Sequence, residues 1–124
     1  MVLTRSEMQI MDVLWSSEQP MSRSDILACS DGKTWKDSSV HILLNGLLRK
    51  GFIREAGFVK RAKTYGRTFS ATVTREQFFA ANVFAYKHKP NAAALVDAIV
   101  RSHLLSKEEL LEIRQVLDSR IEEF

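Results

Sequence analysis

The densest chemistry in the chain is cationic. Between residues 49 and 67 stand Arg49, Lys50, Arg54, Lys60, Arg61, Lys63 and Arg67, with Glu55 as the one acid. A local excess of six positive charges suits a polyanion, because clustered cations raise the local potential and each can take a phosphate oxygen. A solvated basic hairpin with no ligand would look the same by charge alone. Just upstream lie the polar positions Ser38, Ser39, His41, Asn45 and Arg49, set between Val40, Leu43, Leu44, Leu47 and Leu48 at helical spacing. A helix with a small polar outer face can enter the major groove of duplex DNA, where short donors reach base edges and bulk would clash.

Other chemistries find no residues to carry them. His41, His88 and His103 are far apart and show no metal-ligand spacing. The single cysteine, Cys29, excludes an intramolecular disulfide framework and a thiolate zinc cluster. It fits a reducing cytoplasm. No glycine-rich phosphate loop and no nucleophile elbow is present. The carboxylates are scattered, and the six on the last predicted helix, Glu108, Glu109, Glu112, Asp118, Glu122 and Glu123, make a solvated face. A chain without enzyme activity, metal or cofactor is expected. With 124 residues, 45% apolar and 27% charged, it matches an ordinary soluble protein with enough length for a real core. No stretch is apolar enough to span a membrane, and the N-terminus lacks the apolar run of a signal peptide. A cytoplasmic location follows as an expectation.

The elements that must position these residues are marked by local signals. Thr4-x-x-Glu7 has the form of a capping box opening a helix over roughly 5–17. Glu18-Gln19-Pro20 ends it. Ser22-x-x-Asp25 opens a short helix to about Cys29, and Asp31-Gly32 makes a turn. Asp37 or Ser38 can cap the third helix, and Gly51 sits where a C′ glycine belongs. Phe52-Ile53-Arg54 starts a strand, and 64–73 is β-branched and aromatic. The basic stretch 54–63 is expected at the tip of the resulting hairpin. Residues 1–73 therefore read as a winged helix-turn-helix. They carry eleven Lys/Arg against seven Asp/Glu, a net of +4, whereas 74–124 carry seven against eight, a net of −1.

Residues 74–124 read as a second domain of three helices. Thr74-x-x-Gln77 opens one of roughly 75–88, a second runs from about 91 to 103, and Ser106-x-x-Glu109 caps the last. Leu110, Ile113, Leu117, Ile121 and Phe124 form a stripe at spacings of three and four. So short a domain has little volume to hide that stripe together with Leu95, Ile99 and the aromatic residues of 78–86. Dimerisation would cover it; packing back on the first domain is the alternative.

The segment Thr34-Trp35-Lys36-Asp37-Ser38-Ser39-Val40-His41-Ile42-Leu43-Leu44-Asn45-Gly46-Leu47-Leu48-Arg49-Lys50-Gly51 resembles the penicillinase-repressor family, the BlaI/MecI/CopY type. So do the opening Leu3-Thr4-x-x-Glu7-x-x-Ile10-Met11-x-x-Leu14-Trp15 and the later run from Leu95-Val96 to Ile113. The resemblance implies a homodimeric repressor on a palindromic, inverted-repeat operator, with half-sites about one helical turn apart, at β-lactam-resistance or related stress genes. It places base-reading positions at Ser38, Ser39, His41, Ile42 and Asn45, with Lys60, Arg61, Lys63 and Arg67 on the DNA backbone. It also implies a sensor protease acting on the C-terminal half, and copper-responsive members with a cysteine-rich tail. This chain departs in three places. Ile42 and Gly46 stand where the family often has Thr and Arg. Ala98-Ile99 replaces the Asn-Phe bond cut in the antibiotic-resistance members. The chain ends Arg120-Ile121-Glu122-Glu123-Phe124, which disfavours direct copper sensing.

Further expectations attach to single residues. Trp15 and Trp35 are expected in the core, Cys29 as a small core residue, and one of Ser38 and Ser39 as the helix cap. Tyr65 either packs under the wing or touches sugar-phosphate. A glycine inside a helix costs about 1 kcal/mol relative to alanine, so Gly46 is expected to permit a close approach, to DNA or to the second helix. Three functions fit: a sequence-specific DNA-binding repressor, a winged-helix module that holds a protein partner instead, and a ligand-responsive regulator with a pocket between the C-terminal helices, for which no polar constellation in the sequence argues.

Overall fold

The computed structural model describes residues 3–61 and 64–124, with Arg61 and Thr64 given by their backbone alone. The elements are α1 (Arg5–Trp15), β1 (Met21–Ser22), α2 (Arg23–Cys29), a 3-10 turn (Asp37–Ser39), α3 (Val40–Lys50), β2 (Ile53–Arg61), β3 (Thr64–Ala71), α4 (Arg75–Val83), α5 (Ala92–Val100) and α6 (Lys107–Glu122). The chain is mainly helical with one small antiparallel sheet.

Local chemistry sets the helix starts. Glu7 N–H donates to Thr4 Oγ1 at 3.1 Å and Thr4 N–H to Glu7 Oε1 at 2.9 Å. The same reciprocal pair opens α2, at Ser22 and Asp25, α4, at Thr74 and Gln77, and α6, at Ser106 and Glu109. Helix α1 stops at Trp15 rather than residue 17. There the Ser16 hydroxyl donates to the Asp12 carbonyl, the serine competition that weakens helices. The expected serine or aspartate cap of α3 is absent: Asp37–Ser39 forms the 3-10 turn, and neither it nor α3 has a side-chain cap bond. Gly51 closes α3 at φ +81°, in the left-handed region that favours glycine.

The sheet has the order β1-β3-β2. Strand β1, two residues long, pairs Met21 with Phe69 and Ser22 with Thr68. Strands β2 and β3 pair from Ile53–Ala71 to Arg61–Thr64. The basic stretch is therefore mostly paired strand and not the tip of the hairpin, because the ladder continues almost to the turn. A bulge between Glu55 and Gly57 shifts the register, and Gly57 takes φ +141° there. Strand β3 ends at Ala71, short of residue 73; Thr72 instead hydrogen-bonds the Gly51 carbonyl.

Ile10, Met11, Leu14, Ile26, Val40, Leu44, Leu47, Ile53 and Phe69 form the core under the three helices and the sheet. Each fully buried aliphatic side chain contributes about 1.5–3 kcal/mol. Trp35 joins that core and Trp15 packs against it. Cys29 does not: it is exposed at the end of α2.

The chain forms two compact units, 1–81 and 82–124. The first runs past the boundary expected at 73, because α4 is anchored to it. Phe78 is buried, with its ring 5.4 Å from Trp15 and 5.5 Å from Phe52. Trp15 Nε1 donates to the Val73 carbonyl at 2.9 Å. Helix α4 stops at Val83, short of residue 88, and α5 at Val100, short of residue 103; neither α5 nor α6 contains a buried residue. No helix among the described residues is long and apolar enough to cross a membrane.

Candidate nucleic-acid interface

Helix α3 is the centre of the site, and its inner face is fixed first. Val40, Leu44 and Leu47 are buried. Gly46 lies on this face too. A Cβ there would stand 2.9 Å from Glu7 Oε2, so the close approach that Gly46 permits is to α1, not to DNA or α2. Lys50 Nζ, at the end of α3, donates to Glu7 Oε1 at 2.6 Å. Burial alone would raise the Glu7 carboxyl, but the Lys50 hydrogen bond and charge, with the Thr4 bonds, hold it below its ordinary value. One buried carboxylate thus joins the start of α1 to the end of α3.

The outer face carries the polar residues that the sequence singled out. Ser38, His41, Ile42, Asn45 and Arg49 are exposed, and Ser39 is half-buried. Ile42 is 74% exposed, a large apolar side chain held in solvent in the middle of that face. With no capping bond to make, Ser38 and Ser39 are not committed to the helix terminus.

Beside α3 opens a cleft of about 300 Å³, lined by Arg23, Ser24, His41, Tyr65 and Arg67 among others. Arg23, at the start of α2, hydrogen-bonds Nε2 of His41. An arginine can only donate, so that ring nitrogen accepts. Arg23 was not among the sequence candidates. Its only sequence signal is its place immediately after the Ser22 cap, and its proximity to His41 comes from the packing of α2 on α3. Tyr65 is exposed at the cleft and does not pack beneath the wing. Arg67 is ion-paired with Glu55 and lies over the Phe69 ring. Lys60 is exposed on β2. Arg61 closes the β2–β3 ladder, and Lys63 lies outside the described residues.

The apolar positions expected at a dimer interface lie in the second unit. Ile99, Leu117 and Ile121 are exposed, and Leu95, Leu110 and Ile113 are half-buried. Val116 is as exposed as Ile121, and Leu104 and Phe124 are more exposed still, Phe124 at 96%. Leu104 and Val116 lie off the heptad-like stripe, which is why spacing alone did not find them.

Comparison with known proteins bears on the whole chain. The penicillinase repressor family matches residues 3–119. An uncharacterized 16.5 kDa protein in the ptsI 3′ region of Latilactobacillus sakei is 25% identical over 123 residues, covering 95% of this chain and 80% of that protein. Among solved structures, Bacillus subtilis PadR in complex with operator DNA aligns at 18% identity and a TM-score of 0.48, over 94% of this chain and 70% of that one. A mutant of MepR from a multidrug-resistant S. aureus clinical isolate aligns at 16% identity and 0.41, over 94% and 75%. The family match runs through the winged helix and on into the C-terminal helices, and the chain belongs to the penicillinase repressor family, as a DNA-binding transcriptional regulator.

Proposed function

We propose that the chain is a repressor that binds an inverted-repeat operator as a homodimer. The observation that carries the DNA part is the exposed outer face of α3, with polar residues around Ile42, beside a cleft lined by Arg23, His41 and Arg67. Ser38, Ser39, His41, Ile42 and Asn45 read base edges in the major groove, with Ile42 suited to a thymine methyl. Arg49, Lys60, Arg61, Lys63 and Arg67 hold phosphates, which take the larger share of protein–DNA hydrogen bonds.

The apolar side chains of α5 and α6 support the homodimer. Leu95, Ile99, Leu110, Ile113, Leu117 and Ile121 stand in helices without a buried residue. A second copy of the same face covers them. A two-fold dimer then sets half-sites about one turn of DNA apart. In this reading the repressor acts in the cytoplasm, on β-lactam-resistance or related stress genes. Ala98–Ile99 lies inside α5, so a sensor protease cutting there has to unwind that helix first.

Selection of random duplex DNA with the purified protein, followed by sequencing, tests the reading. An inverted repeat is expected. Replacing Lys60, Arg61 and Lys63 together by Ala should weaken binding to all sequences and flatten its salt dependence. Recovery of no motif, with binding lost at about 0.2 M salt, would refute specific recognition and favour the protein-interaction module.

A further inference from the structure

Phe58 and Tyr65 stand in solvent on the β2–β3 hairpin, 70% and 69% exposed. The register puts them on one face. Phe58 lies opposite Arg67, and Lys60 opposite Tyr65. Opposed residues of an antiparallel pair share a face, as do residues two apart along a strand. Rings and cations therefore alternate on both strands, and Tyr65 and Arg67 also line the cleft beside α3. Arg67 shares its charge with Glu55, and the exposed Lys60 adds a second cation to this face for a phosphate.

Such a face matches a ligand that presents flat apolar surfaces between regularly spaced anions. The minor groove of a duplex has that character once a base step opens, with deoxyriboses and a base face between phosphates; an acidic protein surface offers the anions without the flat surfaces. We propose that this face enters the minor groove next to the segment read by α3. Phe58 and Tyr65 pack against deoxyribose and partly unstack one base step, while Lys60 holds the adjacent phosphate. This rests on the DNA-binding reading above and adds a source of specificity to it. A wedge of this kind opens flexible pyrimidine–purine steps more cheaply than stiff A-tracts, so sequence would be read at positions that α3 never touches.

The test uses the full chain and the duplex recovered by selection, with 2-aminopurine placed in turn at each step flanking the half-sites. A fluorescence rise is expected at one flanking step when protein binds. Phe58→Ala and Tyr65→Ala should each weaken binding about tenfold and abolish that rise, with the salt dependence unchanged. Lys60→Ala should do the reverse, keeping the rise and flattening the salt dependence. Tyr65→Phe should behave as wild type. Both rings are on the surface, so circular dichroism should show every variant folded. Motif-specific binding with no rise at any flanking step, or alanine variants of wild-type affinity, overturns the aromatic contact and leaves the DNA reading standing. A wild-type protein that selects no motif overturns both.

Discussion

The Glu7–Lys50 pair makes an asymmetric prediction. The side chain of Glu7 is 5% exposed and that of Lys50 is 24% exposed. Lys50→Met would leave a buried carboxylate without its cation. Removing one partner of a fully buried pair costs about 3–5 kcal/mol. Thr4 N–H still donates to Glu7 Oε1, so a smaller loss of about 2–3 kcal/mol is expected here. Glu7→Gln should cost only about 1 kcal/mol, because glutamine keeps the capping box and the Lys50 ammonium can reach water. The pH dependence should separate the variants as well. In the wild type the lowered carboxyl contributes stability that is present above its ordinary value of 4.5 and lost as pH falls through its folded value. Without Lys50 the burial effect is less opposed, so this contribution to acid sensitivity should flatten or reverse. Urea denaturation at fixed protein concentration, at neutral pH and near pH 4, measures both effects. The reasoning fails if Glu7→Gln proves as costly as Lys50→Met, or if Lys50→Met keeps the wild-type acid dependence.

Three further outcomes are expected. Gly46→Ala should gain up to about 1 kcal/mol of helix propensity but press on Glu7, whose carboxylate is pinned; the gain should therefore emerge in a Glu7→Ala background and be lost or reversed in the wild type, a coupling that a double-mutant cycle in urea measures. Asn45→Ala should relax base preference at one operator position by about 1–3 kcal/mol without changing the salt slope, as seen in competition binding against single-base operator variants. Leu117→Asp combined with Ile121→Asp should yield a monomer in analytical ultracentrifugation with weakened operator binding, while the thermal transition of residues 1–81 persists.

Helix starts were legible in the sequence because they are local chemistry. Thr4 with Glu7, Ser22 with Asp25, Thr74 with Gln77 and Ser106 with Glu109 each place a hydroxyl and its partner three residues apart, within reach of one turn whatever the rest of the chain does. The outer face of α3 was legible for a similar reason: once Val40, Leu44 and Leu47 face inward, helical period puts His41, Ile42 and Asn45 outward. The cap of α3 was misread because a serine or aspartate before a helix has an alternative, and here the backbone takes a 3-10 turn.

What remained hidden depended on residues far apart in the chain. Gly46 signals a close approach in the sequence, but only the fold shows that the group beside it is Glu7 of α1 rather than DNA or the second helix. Arg23 showed no sign of its contact with His41, and Phe78 none of its packing on Trp15 and Phe52. Strand β1 is too short to show a period, and exists because β3 offers its free side. The apolar stripe of α6 was visible in the sequence, but its exposure was not, since burial depends on what else the chain can bring to that face. The sequence by itself therefore determined the caps, the helical faces and the concentration of positive charge, all set by hydrogen bonds and spacing within a few residues. Only the tertiary structure decided which of those faces meet and which stay in water, because contacts between distant segments follow from packing as a whole.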